Sequence, residues 1–164
     1  MNLAGLSASI ARIEATEAIR QLKARYFFYC DQKDPDGMRA CFAEGEVAID
    51  YGAVGRFTNR DTLVDVFMQL GCHEHIVDMH HGVNPDITIV DAENARGIWG
   101  LHFQQIDTQK QTVTQLGAYY NDEYRKIDGA WKISATRCTV TSTMVSSIAD
   151  GQPRIIFAGR APGG

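Results

Sequence analysis

Residues 73–84 read HEHIVDMHHGVN and hold four of the chain's five histidines: His73, His75, His80 and His81. Imidazole titrates near neutrality and also ligates metals, so this crowding suits a metal site, an acid/base site or plain coincidence. His73 and His75 would fall on one side of an extended segment, and Cys72 or His80 could complete a set of three or four ligands. The segment reads as a loop, however, and its spacing matches no zinc motif, so no metal site is expected. The sequence contains no GxGxxG, GxxxxGK[ST] or GxSxG pattern, which removes support for nucleotide-dependent and serine-hydrolase chemistry.

Proton transfer by a histidine needs a scaffold that holds it. A chain of 164 residues, 45% hydrophobic and 22% charged, suffices for one compact core. A single domain over 1–164 is therefore expected, with 1–8 and 150–164 as extended tails. The net charge of −4 is modest and the basic residues are scattered, so nucleic acid is not an expected partner. Arg12 and Glu14 interrupt the leading apolar run, and no stretch has the roughly 18–20 apolar residues that cross a bilayer. A cytoplasmic protein without membrane contact is expected. Cys30, Cys41, Cys72 and Cys138 are widely spaced and read as reduced thiols.

Ile19, Leu22, Tyr26, Tyr29 and Cys30 recur at helical spacing and predict a long helix over about 9–31. Asp34 before Pro35 is an N-cap with proline at the first helical position, opening a short helix through Phe42. A strand follows over about 46–51, and then a third helix capped by Asn59 and closed by Gly71. Four strand-like runs complete the chain, beginning at DITIVD and including a hairpin at Asp128-Gly129. Helices first and an antiparallel meander afterwards predict an α+β fold, with the helices packed on a strongly curved antiparallel sheet and a pocket between the layers.

Three stretches carry a family resemblance: YCDQKDPDGMRACFAEGEVAIDYG, HHGVN, and NDEYRKIDGAWKIS. Together they resemble the nuclear transport factor 2-like fold, a cone-shaped half-barrel, in its SnoaL-like branch. The pattern is closest to the scytalone dehydratase and hexachlorocyclohexane dehydrochlorinase lyases. The resemblance implies His80 as a catalytic base oriented by Asp31, with no cofactor. It also implies a pocket tyrosine at Tyr51 and a cationic leaving-group or oxyanion binder near Arg137. Tyr26, Phe103, His102 and His81 are carried as further candidates for the pocket wall. His81 would replace His80 if strand parity shifted by one, and His102 would need a bulge to point inward.

Several positions depart from the scytalone dehydratase pattern. Cys30 stands where a tyrosine precedes the aspartate, Gln105 where a second histidine is found, and Ala118 and Tyr120 where a Ser and Asn pair is found. Scytalone is therefore not the expected substrate. The function these residues imply is a lyase or isomerase that takes a proton from a small, apolar, cyclic molecule. The alternative is a non-catalytic binding or assembly domain of the same fold. Relatives assemble through the outer sheet face, so a homo-oligomer, trimer or dimer, is expected.

Overall fold

A computed structural model describes residues 2–149 and the backbone of Pro153–Phe157. Helix α1 spans Leu3–Asp31, starting where the Asn2 side chain accepts from the Gly5 amide at 2.9 Å. It begins six residues earlier than the apolar periodicity of its core face predicts, so residues 3–8 are helix rather than an extended tail. The tail expected over 150–164 lies outside the described residues, apart from the backbone strand at Pro153–Phe157. Past Asp31 the chain reverses at Lys33, whose φ is 58°, and Asp34 caps α2 (Pro35–Ala40) through the Gly37 amide. Helix α3 spans Arg60–Leu70 with Asn59 as its cap.

The strands are β1 (Ala48–Asp50), β2 (Arg56–Phe57), β3 (Ile76–Ile89), β4 (Asn94–Asp107), β5 (Thr112–Ile127), β6 (Ala130–Ser147) and β7 (Pro153–Phe157). They form one sheet in the order β2-β1-β6-β5-β4-β3, with β7 also paired to β6. Every pairing is antiparallel except β1 with β6. Register shifts at Val83/Asp86, Gly117/Ala118 and Glu123/Tyr124 mark bulges, the device that bends strands and increases sheet twist. The inner face takes the helices: Ile19, Leu22, Tyr26 and Phe27 of α1 bury against Trp99, Leu101, Tyr120 and Ile133.

The histidine segment departs from its expected form. Only 73–75 is a turn; His80 and His81 lie within β3, which starts well before DITIVD.

A charged cluster sits inside this core. Lys23 is fully buried, and its Nζ donates to Asp122 Oδ2 at 2.7 Å while lying 3.6 Å from the centre of the Tyr120 ring. Asp122 also accepts from Tyr124 Oη at 2.7 Å and Thr136 Oγ1 at 2.6 Å, and Trp99 Nε1 donates to Tyr124 Oη at 2.9 Å. A buried carboxylate needs such saturation, because an unpaired charge at low dielectric is very costly.

The four cysteines are free thiols. Burial pushes Cys30 up to about 12, and Cys41 and Cys138 to about 11. Since the thiolate is the nucleophile, these three are expected to resist alkylation in the native protein, and half-buried Cys72 beside α3 should be modified first. Mass mapping after brief labelling checks this, and Cys30 reacting ahead of Cys72 would contradict it.

Candidate active site

Asp31 is the last residue of α1, where a carboxylate meets the negative end of the helix dipole and no basic residue of the last turn offsets it. What compensates it is His80. The His80 backbone N–H donates to both carboxylate oxygens at 3.1 Å, and the ring Nδ1 lies 2.6 Å from Oδ1. In a neutral imidazole beside a carboxylate, the proton sits on Nδ1 and Nε2 keeps a free lone pair. The pair is sheltered but reachable, its side chains 16% and 23% exposed.

Aromatic rings fix the imidazole plane. Phe27 stacks on it with centroids 5.7 Å apart and planes 14° apart, and Phe103, its register partner on β4, lies 4.6 Å away. Gly82, two residues along the same strand face, leaves room for Phe27; a Cβ there would come within 2.3 Å of the ring. Gly82→Ala should therefore cost about 1–3 kcal/mol by overpacking, read from the urea unfolding midpoint. An unchanged midpoint would show that the ring is free to move.

Inward of the dyad, the hydroxyls of Tyr26 and Tyr51 are 2.8 Å apart, and the Tyr51 ring meets Tyr120 edge-on. Burial pushes all three phenols well above their usual range, so they remain neutral hydroxyls. On the other side, Asp78 shares the inner face of β3 with His80 and pairs with Lys33 of the turn after α1. Gln105 Nε2 donates to the second oxygen of Asp78 at 2.9 Å. Two clips, Asp31 to His80 and Lys33 to Asp78, thus hold the end of α1 against β3.

The structure thus brings together His80, Asp31 and Phe103, and joins Tyr26 and Tyr51 to them through the rings of Phe27 and Tyr120. It separates three other candidates from them. His81 and His102 are register partners of opposite parity to His80 and Phe103, so both lie exposed on the outer face, with rings 6.5 Å apart. No bulge falls at His102 to turn it inward. Arg137 also points outward, across from Asn121 and 3.5 Å from Asp50, because its neighbour Thr136 takes the inward position against Asp122. It lines an open groove of about 1000 Å³ on the outer face with Arg56, Arg96, Asp86 and Glu123. The sequence reading missed Asp78, Lys33 and Phe27, and it recorded Gln105 only as a departure from a pattern.

His73 and His75 stack on each other in the turn before β3, and the His73 ring contacts the Gln69 carbonyl at 2.7 Å. Among the described residues, no three His, Cys, Asp or Glu side chains converge to hold a metal ion.

The helix layer over a curved, unclosed sheet defines the nuclear transport factor 2-like class of α+β folds, and solved structures agree. A candidate scytalone dehydratase from Novosphingobium aromaticivorans superposes with a TM-score of 0.77 at 20% identity, covering 95% of this chain and 98% of that one. Hexachlorocyclohexane dehydrochlorinase LinA Type2 gives 0.76 at 17%, covering 94% and 99%. The LinA-type3 enzyme from Novosphingobium barchaimii gives 0.74 at 16%, with the same coverage. The family model of the SnoaL-like domain matches residues 11–137, and the chain belongs to that family.

Proposed function

We propose that this protein is a cofactor-independent lyase or isomerase acting on a small, largely apolar, cyclic molecule of polyketide or aromatic type. The observation that carries the reading is the 2.6 Å contact between His80 Nδ1 and Asp31, which favours the tautomer whose opposite ring nitrogen can accept a proton. His80 Nε2 takes a proton from carbon. The C–H electron pair becomes a double bond, and the departing group leaves with the electrons of its own bond. Asp31 steadies the imidazolium that forms, and the neutral Tyr51 hydroxyl, backed by Tyr26, donates to the charge developing on the substrate. The dehydrochlorinase neighbours and the dehydratase neighbour support elimination as the reaction class.

The same reading makes the chain one domain of the cytoplasm, and no helix among the described residues is long and apolar enough to cross a membrane. Assembly as a trimer or dimer would cover Val77, Met79, Val83, Ile98 and Tyr119, which stand exposed on the outer sheet face.

Two probes test the chemistry. 5-Nitrobenzisoxazole opens to a coloured cyano-nitrophenolate when a base removes the C–H proton of its isoxazole ring, and hexachlorocyclohexane releases chloride on elimination. The wild type should turn over at least one of them and His80→Gln neither. Equal rates in the two proteins would remove His80 from the mechanism. A wild type inert to both probes would favour a ligand-binding domain.

A further inference from the structure

The first half of α1 carries a second apolar stripe that its own domain does not use. Leu3, Leu6, Ile10 and Ile13 are 86%, 42%, 47% and 69% exposed. Their spacing of three, four and three residues is the a/d pattern by which one helix seats against another. At 3.6 residues per turn they point about 175° away from the direction of Ile19, Leu22, Tyr26 and Cys30, so the sheet that buries those residues cannot reach them. The helix around the stripe is also poorly suited to water. LAGLSASIA, residues 3–11, has no charged residue and includes a glycine and two serines. It persists because the following turns are packed on the core and supply the nucleus.

We infer that this stripe is an interface for the same stripe of a second copy, the two helices running antiparallel. A lipid surface fits poorly, since helices that lie on membranes carry Lys and Arg on the polar face and none occurs here before Arg12. A partner chosen by charge fits poorly as well, because Glu14 is the single charge that flanks the stripe between Leu3 and Ile13. In an antiparallel pair Glu14 falls beside the other copy's N-terminal turn and not beside a second Glu14, and a two-fold axis makes the surface its own complement.

The direction follows from Glu17, which continues the line of Leu3 and Ile10 one turn past Ile13. Parallel helices would set Glu17 against Glu17. Antiparallel helices seat Leu3 of one copy on Ile13 of the other and Leu6 on Ile10. Each Glu17 then lies beside the other helix's N-terminal turn, where free N–H groups favour an anion. This pairing is separate from assembly through the sheet and stands whatever the reaction at His80 proves to be.

Sedimentation of the full-length protein tests it. Leu6→Glu with Ile10→Glu should lower the particle mass of the wild type to that of the sheet-assembled particle, by half where the stripes join two such particles. Disulfide trapping reads the same contact without adding charge to the stripe. A mixture of Leu6→Cys and Ile10→Cys copies should cross-link on mild oxidation far beyond either variant alone or the wild type. Equal mass in wild type and Glu variant, or a mixture that cross-links no better than its components, would overturn the proposal.

Discussion

Asparagine in place of Asp31 is expected to leave a folded protein whose base-catalysed turnover falls about a hundred- to ten-thousand-fold. The carboxylate occupies an unfavourable place at the end of α1, so neutralising it does not cost the helix its dipole balance. The loss falls instead on the tautomer. Both oxygens of Asp31 accept from the His80 backbone N–H, and one also faces Nδ1. An asparagine that turned its NH2 toward Nδ1 would shift the ring proton to Nε2 and remove the lone pair that abstracts. One that kept its oxygen there would preserve the tautomer but lose the charge that steadies the imidazolium. Either arrangement slows the proton-transfer step. Nitrophenolate release from 5-nitrobenzisoxazole, measured with a matched unfolding curve for each protein, decides the matter, and a turnover rate kept within twofold would sink the dyad.

The largest effect on stability is expected at Lys23. Lys23→Met preserves the length of the side chain but leaves the Asp122 carboxylate buried without its cation, a change that costs about 3–5 kcal/mol in comparable pairs. The two partners should not respond equally. Without the ammonium, Asp122 still accepts from Tyr124 and Thr136; without the carboxylate, Lys23 has only the faces of Tyr120, Tyr26 and Phe27. Asp122→Leu should therefore destabilise more than Lys23→Met. Urea unfolding followed by circular dichroism gives both values, and a Lys23→Met protein as stable as the wild type would show the ammonium to be dispensable.

The order of helices and strands could be read directly, because Asp34 and Asn59 act through local chemistry and the hairpin at Asp128-Gly129 needs only its own two residues. Strand β3 was harder, for a physical reason. Its inner face carries Asp78 and His80, while Val77, Met79 and Val83 face outward, so polarity runs opposite to the usual core-inward alternation. A polar inner face and an apolar outer face together make a strand resemble a loop. The resemblance singled out Asp31 and His80 where periodicity could not, since the carboxylate lies off the apolar stripe of α1 and meets its partner only because the sheet curls past the helix end. It also carried Arg137 to a position whose strand parity sends it outward, while His81 and His102 keep the outward parity that a shifted strand or a bulge would have had to reverse. Lys23 left a legible trace: a lysine between Leu22 and Tyr26 lies on the buried face of an amphipathic helix, which predicts a buried counter-charge without saying where along the chain it sits.

That distance has consequences for how the protein is made. The counter-charge of Lys23 comes 99 residues later in the chain, and the ring partner of Asp31 comes 49 residues later. Helix α1 therefore leaves the ribosome long before β5 can neutralise its lysine, and until then the ammonium is better off in water than against Tyr26 and Phe27. Docking of the helix waits on closure of contacts far apart in sequence, which is slow and leaves apolar surface open in the meantime. A nascent chain halted before β5 would carry Asp31 and His80 yet lack the charge partner that lets α1 settle onto the sheet, so the contact between the carboxylate and the imidazole forms only after most of the polypeptide has emerged.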